Sequence, residues 1–448
     1  MSYTAEKPSG TRFSLPQLLL LLPWIPLAVV ALRPIRDNSF LWHVRAGALQ
    51  LDSGQVLTSD PFSFTLGGER WLTQSWLAEL AYAVGENAAG LGFVPAMVLV
   101  LGAITVVGIA LMAYRRSSSV LGTLVITILS ILLLMGFLVP RPVIFSYALS
   151  VLVILAWDRP TTRWAVPLLF WIWASVHGSF VLGLAYVGLM ILARKDWKAL
   201  PTALVSGVAT LVTAHGLGVV SMLLDFTRAG DALALISEWR RPGLWSLIFT
   251  PFLIGVALMV VGGYRRRLRP GDIWLLAPFL VLAFGSARAV PPAWIALFPL
   301  VATSLWGLGA DMPKRFGRVP VVVLSVAILG LPFLLQTPQG IDEEHFPVAA
   351  AAVLDDVNTF HDDRSGGYLI YARGPEFQVY LDDRAELYQD RIVEYAGVRD
   401  GDIDWMPVFA RDGIQQALLR ADEDLVEEIT DAGWHQVYAD ESYVVLRP

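Results

Sequence analysis

The chain contains no cysteine. Without thiols it can form no disulfide, has no cysteine nucleophile and offers no thiolate ligand to a metal ion. Charged residues are also scarce, at 16% of 448 residues, whereas soluble globular proteins carry about a quarter. Hydrophobic residues make up 55% of the chain. The two figures together favour a polytopic α-helical membrane protein over a soluble one.

Aspartate and glutamate are missing from the middles of the apolar segments. Ion-coupled transporters usually carry acids near the membrane midplane, so this absence counts against that class. There are about eleven segments, several of them near the ~20 residues that a helix needs to cross a bilayer. They cover residues 16–33, 93–114, 119–139, 142–157, 164–177, 179–193, 200–224, 246–263, 272–288, 291–308 and 319–337.

The first apolar segment follows Lys7 and Arg12 and resembles a signal sequence. Its length and the lack of a small-x-small cleavage site predict a retained signal anchor. Every second connection after it is short and basic, as cytoplasmic turns are under the positive-inside rule. These basic turns contain Arg115 and Arg116, Arg159 and Arg163, Arg194 with Lys195 and Lys198, Arg265 to Arg269, and Lys314 with Arg315 and Arg318. The pattern predicts a plasma-membrane protein with a cytoplasmic N-terminus and an extracytoplasmic C-terminal region.

Lysine is absent from Gly340 onward, where 25 acidic residues stand against 8 arginines. Such an acidic region is a poor partner for nucleic acid or anionic lipid. We therefore divide the chain into a multi-pass transmembrane domain, residues 1–338, and an acidic soluble α/β domain, residues 339–448. The transmembrane domain includes a long first extracytoplasmic loop at 34–92.

Local patterns predict secondary structure in both water-facing regions. In the first loop, apolar faces predict helices from Phe40 to Leu49 and from Trp76 to Val84, lying along the membrane surface, and 59–65 predicts a turn followed by a strand. In the acidic domain the predicted strands are 368–371, 378–381, 435–438 and 443–446, and the predicted helices are 414–420 and 425–432.

Ionisable side chains gather at the outward ends of the predicted helices. The candidate site residues are Asp37, His43, Asp60, Arg141, His177, Glu238, Arg240 and Arg288. A carboxylate can take a proton from an acceptor hydroxyl or hold a divalent metal ion, and Asp37 is the candidate for either task. Arginines bind phosphate with two parallel hydrogen bonds. The combination suits a lipid-phosphate donor that enters sideways from the membrane.

Each candidate also has a structural interpretation. Asp37 precedes a helical pattern and can cap that helix, which does not exclude catalysis. Asp60 precedes Pro61 and fits a turn or cap. Arg141 and Arg288 fit snorkelling arginines at helix ends, and Glu238 can pair with Arg240 alone. In the acidic domain, Asp382, Asp383, Arg384 and Glu386 follow a predicted strand and are typical of a solvated turn with local ion pairs.

Several short motifs resemble a widespread group of uncharacterised bacterial membrane proteins, which in turn resemble the C-fold glycosyltransferases (GT-C), the superfamily of protein O-mannosyltransferases and oligosaccharyltransferases. The motifs include Asp37 to His43, Ser59 to Thr65, Ser75 to Leu77, His177-Gly178, Ile236 to Trp239, Arg288, Gly366 to Ile370 and Asp382 to Tyr388. In the C fold an acid early in the first outer loop serves as base or metal contact, and Asp37 matches that position. The adjacent acidic pair of mannosyltransferases is missing, because Asn38 follows Asp37.

The resemblance implies a transfer of sugar from a polyprenyl-phosphate donor to an extracytoplasmic glycan, lipid or protein. His43, Asp60, His177 and Glu238 would contact sugar or acceptor, and Arg141, Arg240 and Arg288 would hold phosphate. Two alternatives stay open. One is a non-catalytic envelope protein whose acidic domain docks a partner, and the other is a lipid or glycan transporter.

Overall fold

The computed structural model describes residues 23–228, 230, 237–309, 330 and 340–448. The helices of the first part are α1 (Trp24–Ala31), α2 (Asn38–Ser53), α3 (Trp76–Ala89), α4 (Phe93–Ser117), α5 (Val120–Leu134), α6 (Val143–Trp157), α7 (Val166–Val176), α8 (Phe180–Arg194), α9 (Leu200–Ala209), α10 (Gly218–Arg228), α11 (Phe249–Tyr264), α12 (Ile273–Gly285) and α13 (Val290–Ser304).

The bundle helices lie close to where the apolar segments predict them, with one correction. The single helix predicted at 200–224 is wrong, because α9 ends at Ala209 and α10 begins only at Gly218. Between them Gly216 has a φ of +53°, a left-handed conformation that interrupts a helix. Residues 16–22 of the first segment and, apart from Gly330, the predicted segment 319–337 lie outside the described residues.

Helix α13 forms the centre of the bundle. It packs on α4, α5 and α6 and also on α11 and α12. Trp294 in its middle is buried, and its indole Nε1 donates a hydrogen bond to Ser130 Oγ on α5 at 2.8 Å. A helix that is apolar on all sides is expected at the centre of a helical assembly rather than at its edge.

Successive connections between the helices alternate between the two ends of the bundle. At one end, which we call the basic end, Arg116 pairs with Asp158, Arg163 pairs with Asp196 at 2.7 Å, and Arg194 lies 2.6 Å from Asp272. These pairs join the turns that the charge pattern assigns to one side. The connections of the first loop, of residues 135–142 and of residues 177–179 lie at the other end, which we call the polar end.

One helical stretch of the described residues, Trp76–Ser117, is both long and apolar enough to cross a membrane. It comprises α3, a short 3₁₀ turn and α4, and contains 42 residues. Shorter apolar helices of 10–17 residues include α5, α6, α8 and α11. A helix of 15 residues is about 22 Å long, shorter than the ~30 Å hydrocarbon core of a bilayer.

The first loop folds as the layer that covers the polar end. Helices α2 and α3 occur where the sequence predicts them and pack tightly, since a Cβ on Gly47 of α2 would lie 1.9 Å from the Glu79 carbonyl oxygen of α3. The turn predicted at Asp60 is present. The strand predicted after it is wrong, because only isolated bridges form there, one of them between Ser63 and Val379.

The acidic domain contains a four-stranded sheet with helices around it. Its elements are α14 (Val348–Ala351), β1 (Thr359–Phe360), α15 (Asp363–Arg373), α16 (Ala385–Tyr388), α17 (Asp390–Arg399), α18 (Trp405–Asp412), β2 (Gln416–Arg420), α19 (Leu425–Asp431), β3 (His435–Ala439) and β4 (Tyr443–Arg447). The strand order is β1-β2-β4-β3, in which β1 and β2 are parallel and the other pairs antiparallel.

Three of the secondary-structure predictions for this domain are confirmed and three are wrong. The strands at 435–438 and 443–446 and the helix at 425–432 are present as β3, β4 and α19. Residues 368–371 belong to α15 instead of a strand, and 414–420 contains β2 instead of a helix. Residues 378–381 form only the bridge at Val379.

Helix α15 packs directly on α2. The pair Gly366-Gly367 allows this, because a Cβ on Gly366 would lie 1.9 Å from the Leu381 carbonyl oxygen and one on Gly367 would lie 2.7 Å from that of Asn38. Part of the acidic domain therefore shares a hydrophobic core with the first loop and the bundle, and a second core lies within the acidic domain itself.

Candidate functional site

Asp37 occupies the N-cap of α2. Its Oδ1 accepts a hydrogen bond from the Phe40 amide at 3.0 Å, which satisfies one of the free N–H groups at the helix start. Its Oδ2 accepts from Arg141 Nε at 2.5 Å. The side chain is nearly buried, and burial raises the pKa of Asp37, while Arg141 and the Phe40 amide act to lower it. Asp37 is thus both a helix cap and one half of an ion pair.

Arg141 and Arg288 meet on one carboxylate. Arg141 Nη1 lies 3.4 Å from Glu238 Oε2, and Arg288 Nη1 donates to the same oxygen at 3.2 Å. Burial acts to lower the pKa of Arg141, but the neighbouring carboxylates outweigh burial and raise it. Asp37, Arg141, Glu238 and Arg288 are thus linked in series. The first and last of them are more than 200 residues apart in the sequence. Glu238 does not pair with Arg240 alone, so that local interpretation is wrong.

Local sequence explains how these side chains are presented. Arg141 lies between Pro140 and Pro142, and proline ends one helix and starts the next without needing an amide hydrogen bond. Arg288 is on the 3₁₀ turn between α12 and α13. Ser286 Oγ donates to the Glu238 carbonyl at 3.2 Å, which ties that turn to the one bearing Glu238.

The cluster borders solvent. The side chains of Arg141, Arg288 and Glu238 keep 21%, 31% and 39% of their exposure, whereas Asp37 keeps 8%. Arg141, Arg288 and Glu238 are therefore accessible to a ligand, whereas Asp37 is almost covered. Arg288 also lies over the ring of Trp239, 5.4 Å from its centroid.

Two histidines border the same region. His177 ends α7 and is half-buried, and its Nδ1 accepts a hydrogen bond from the Ser179 amide at 3.1 Å, which leaves Nε2 to carry the proton. The next residue, Gly178, donates its amide to Gln74 Oε1 of the first loop at 3.0 Å. His43 pairs through Nδ1 with Glu79 Oε1 at 2.8 Å. Both histidines lie at the polar end, and their predicted contact with sugar or acceptor stays a prediction.

Glu79 was not among the predicted site residues. It is fully buried and accepts hydrogen bonds from Gln50 Nε2 at 2.6 Å and from Thr73 Oγ1 at 2.5 Å, besides its contact with His43. A carboxylate bound to one ring nitrogen fixes the orientation of a histidine. The signal available in the sequence was an acid on the apolar face of α3, one helical turn before Tyr82.

In the motif at 382–388, Asp382, Arg384 and Tyr388 are buried and Asp383 and Glu386 are half-buried, which corrects the prediction of a solvated turn. Arg384 is 1% exposed and holds Asp382 with two hydrogen bonds, Nε to Oδ1 at 2.8 Å and Nη2 to Oδ2 at 2.6 Å. It also lies 2.8 Å from Oδ1 of Asp60 in the first loop. Around its guanidinium stand the rings of Trp42, Phe62, Trp71 and Tyr388, with centroid distances of 5.6, 5.3, 4.4 and 5.6 Å.

Asp60 and Glu386 belong to this junction. Asp60 Oδ2 accepts hydrogen bonds from the amide and hydroxyl of Ser63, and Glu386 Oε1 accepts from Trp71 Nε1 at 3.2 Å. Burial raises the pKa values of Asp382 and Glu386. We call the set of Asp60, Asp382, Arg384, Glu386 and the four rings the Arg384 junction. It fastens the acidic domain to the first loop.

Arg240 forms no ion pair with the cluster in the part of the chain that the structure describes. Its side chain is exposed, and its backbone carbonyl accepts a hydrogen bond from the Ala287 amide at 2.9 Å. The predicted role of Arg240 therefore has less structural support than those of Arg141 and Arg288.

A divalent metal ion does not fit the arrangement of carboxylates. Both oxygens of Asp37 are engaged, one by Arg141 and the other by the Phe40 amide. Within the described ranges, no group of three or more histidine, aspartate or glutamate side chains is arranged to hold a metal ion. We therefore derive no catalytic step through a metal.

Comparisons with known proteins add no identity. No protein-family model matches this chain, and a search of curated proteins gave no match.

Proposed function

We propose that the chain is a GT-C-like membrane glycosyltransferase, which moves a sugar from a polyprenyl-phosphate donor to an extracytoplasmic acceptor. The observation that carries the proposal is the meeting of Asp37, Arg141, Glu238 and Arg288 in one solvent-bordering cluster. Sugar transfer from a phosphate leaving group requires a base for the acceptor hydroxyl and positive charge for the phosphate. A carboxylate beside two arginines supplies both.

We propose further that the bundle is polytopic, with about eleven spans. Support comes from large apolar side chains that stay exposed along the helices, among them Val107, Leu132, Val208, Val260 and Val281. Such a surface is unfavourable in water and suited to lipid. The separation of the basic end from the polar end supports a cytoplasmic N-terminus and an outward-facing cluster under the positive-inside rule.

The roles follow from charge and accessibility. Arg141 and Arg288 would bind the donor phosphate and stabilise the charge of the departing polyprenyl phosphate. As phosphate competes for Arg141, the carboxylate of Asp37 is released to accept the acceptor hydroxyl proton. The acceptor oxygen then forms the new bond to the anomeric carbon, and the bond from that carbon to phosphate oxygen breaks. His43, His177 and Glu238 would contact sugar hydroxyls.

The test is sugar transfer by the purified full chain. The protein in detergent is incubated with radiolabelled hexose and pentose donors linked to polyprenyl phosphate, together with a cell-envelope extract as acceptor source. We expect one donor to yield labelled acceptor and free polyprenyl phosphate in equal amounts. No release from any donor contradicts the proposal. Movement of intact donor across proteoliposomes without bond cleavage would favour a transporter instead.

A further inference from the structure

The acidic domain places a second carboxylate at the start of α2. Ser39 Oγ donates a hydrogen bond to Asp383 Oδ2, and Trp42 Nε1 donates to Oδ1 at 2.6 Å. Both donors lie within the first turns of α2, directly after Asp37 at its N-cap. Asp383 therefore stands beside Asp37 although 346 positions separate them in the sequence.

Contacts of the residues before and after Asp383 in the sequence fix its position. Arg384, the next residue, is locked in the junction with Asp60 and Asp382. The backbone of α15 is held against α2 by the close approach of Gly367 to Asn38. Arg45 Nε on α2 also donates to the Tyr371 carbonyl at 2.9 Å. Several independent contacts thus leave Asp383 little freedom to move away from the cluster.

The charge of Asp383 acts on the Asp37–Arg141 pair. The groups that face Asp37 are Arg141, the Phe40 amide, Tyr82 and Asp383. Arg141 lowers the pKa of Asp37, which weakens it as a base, and Asp383 raises that pKa. Asp383 also acts to raise the pKa of Arg141. The negative charge of Asp383 therefore offsets part of the effect of Arg141 on the pKa of Asp37.

We infer that Asp383 is a positioning residue of the catalytic site, whose negative charge the acidic domain brings to the start of α2, beside Asp37. The inference rests on the proposed glycosyl transfer and assigns the acidic domain a part in it. The domain completes the site from outside the bundle, so the first loop and the acidic domain act as one unit. A domain that served only to dock a partner would have no need to direct a carboxylate to Asp37.

The test uses Asp383→Asn in the full-length protein. Asparagine has nearly the same shape, and with its oxygen toward Trp42 and its amide toward Ser39 it keeps both hydrogen bonds while removing the charge. Infrared difference spectra between each protein and its Asp37→Asn derivative isolate the Asp37 carboxyl band. We expect the titration midpoint of that band to move to lower pH in Asp383→Asn.

The transfer assay supplies a second readout. Because Asp37 becomes a weaker base, we expect kcat to fall about tenfold, part of the ~10²–10⁴ that a general base contributes, while the donor KM does not rise. The acid limb of the kcat profile should move to lower pH. Asp390→Asn, an exposed residue of the same domain, is the matched control and should change none of these quantities.

Two outcomes separate this inference from the proposed function. An unchanged Asp37 midpoint with unchanged kcat in folded Asp383→Asn overturns the inference and leaves glycosyl transfer intact. A shifted midpoint in Asp383→Asn, together with a wild-type protein that transfers no sugar from any donor, overturns the proposed function, because the charge coupling then exists without the reaction.

Discussion

Arg384→Met is expected to destabilise the protein by about 3–5 kcal/mol, the usual consequence of leaving buried charges without their partner. The substitution keeps an unbranched side chain of similar length but removes the cation between Asp60 and Asp382. Both carboxylates are fully buried, and water cannot replace the lost guanidinium. Thermal unfolding of the detergent-purified chain and limited proteolysis of the acidic domain measure the effect.

Arg411→Met provides the matched control. Arg411 belongs to the same domain and pairs with Glu394 and Asp412, but 48% of its side chain is exposed. Exposed ion pairs contribute about 0–1 kcal/mol, so the control should unfold almost like wild type. Adding Asp60→Asn and Asp382→Asn to Arg384→Met should restore part of the stability. Equal stability of the two single variants would show that the Arg384 junction does not hold the domains together.

Asp37→Asn should reduce sugar transfer by about 10²–10⁴-fold, the range that a general base contributes. Asparagine also caps helices well, so α2 should keep its start at Asn38. The loss should fall on kcat, since the arginines that contact phosphate remain. Turnover of a lipid-linked sugar by purified variant and wild type gives the comparison.

Asp52→Asn controls for the removal of a carboxylate from the same helix. Asp52 is near the other end of α2 and is exposed to solvent. Its substitution should leave kcat and KM at wild-type values. A folded Asp37→Asn protein with wild-type turnover would remove Asp37 from the reaction and leave it only as a helix cap.

Much of the bundle was predictable because apolar runs and basic turns are local signals. Helices that alternate in direction bring every second turn to the same end, so Asp37, Arg141 and Arg288 could be assigned to one end from charge alone. The break between α9 and α10 was missed because apolar residues continue through it. A hydropathy profile reports how apolar a segment is, and it does not detect a turn inside an apolar run.

The acidic domain shows where local patterns fail. The double glycine at 366–367 is a poor helix former, yet α15 needs it to approach α2 and the Leu381 carbonyl. Residues 416–420 contain helix-forming alanine and leucine, but burial in the sheet outweighs that preference. The pairing of Arg384 with Asp60 spans more than 300 residues, and no local pattern reports a contact of that kind.

We propose that the polar end, with the first loop and the acidic domain, faces away from the cytoplasm while the basic end faces it. The absence of native cysteine makes this measurable with single cysteines at exposed positions. Asn87 of α3 and Glu441 of the acidic domain report on the polar end, and Thr161 reports on a basic turn without removing a charge.

Labelling with a membrane-impermeant maleimide is compared between intact and permeabilised cells. We predict that Asn87→Cys and Glu441→Cys react in intact cells, whereas Thr161→Cys reacts only after permeabilisation. Labelling of Thr161→Cys in intact cells, with the other two protected until the membrane is opened, would show the opposite orientation.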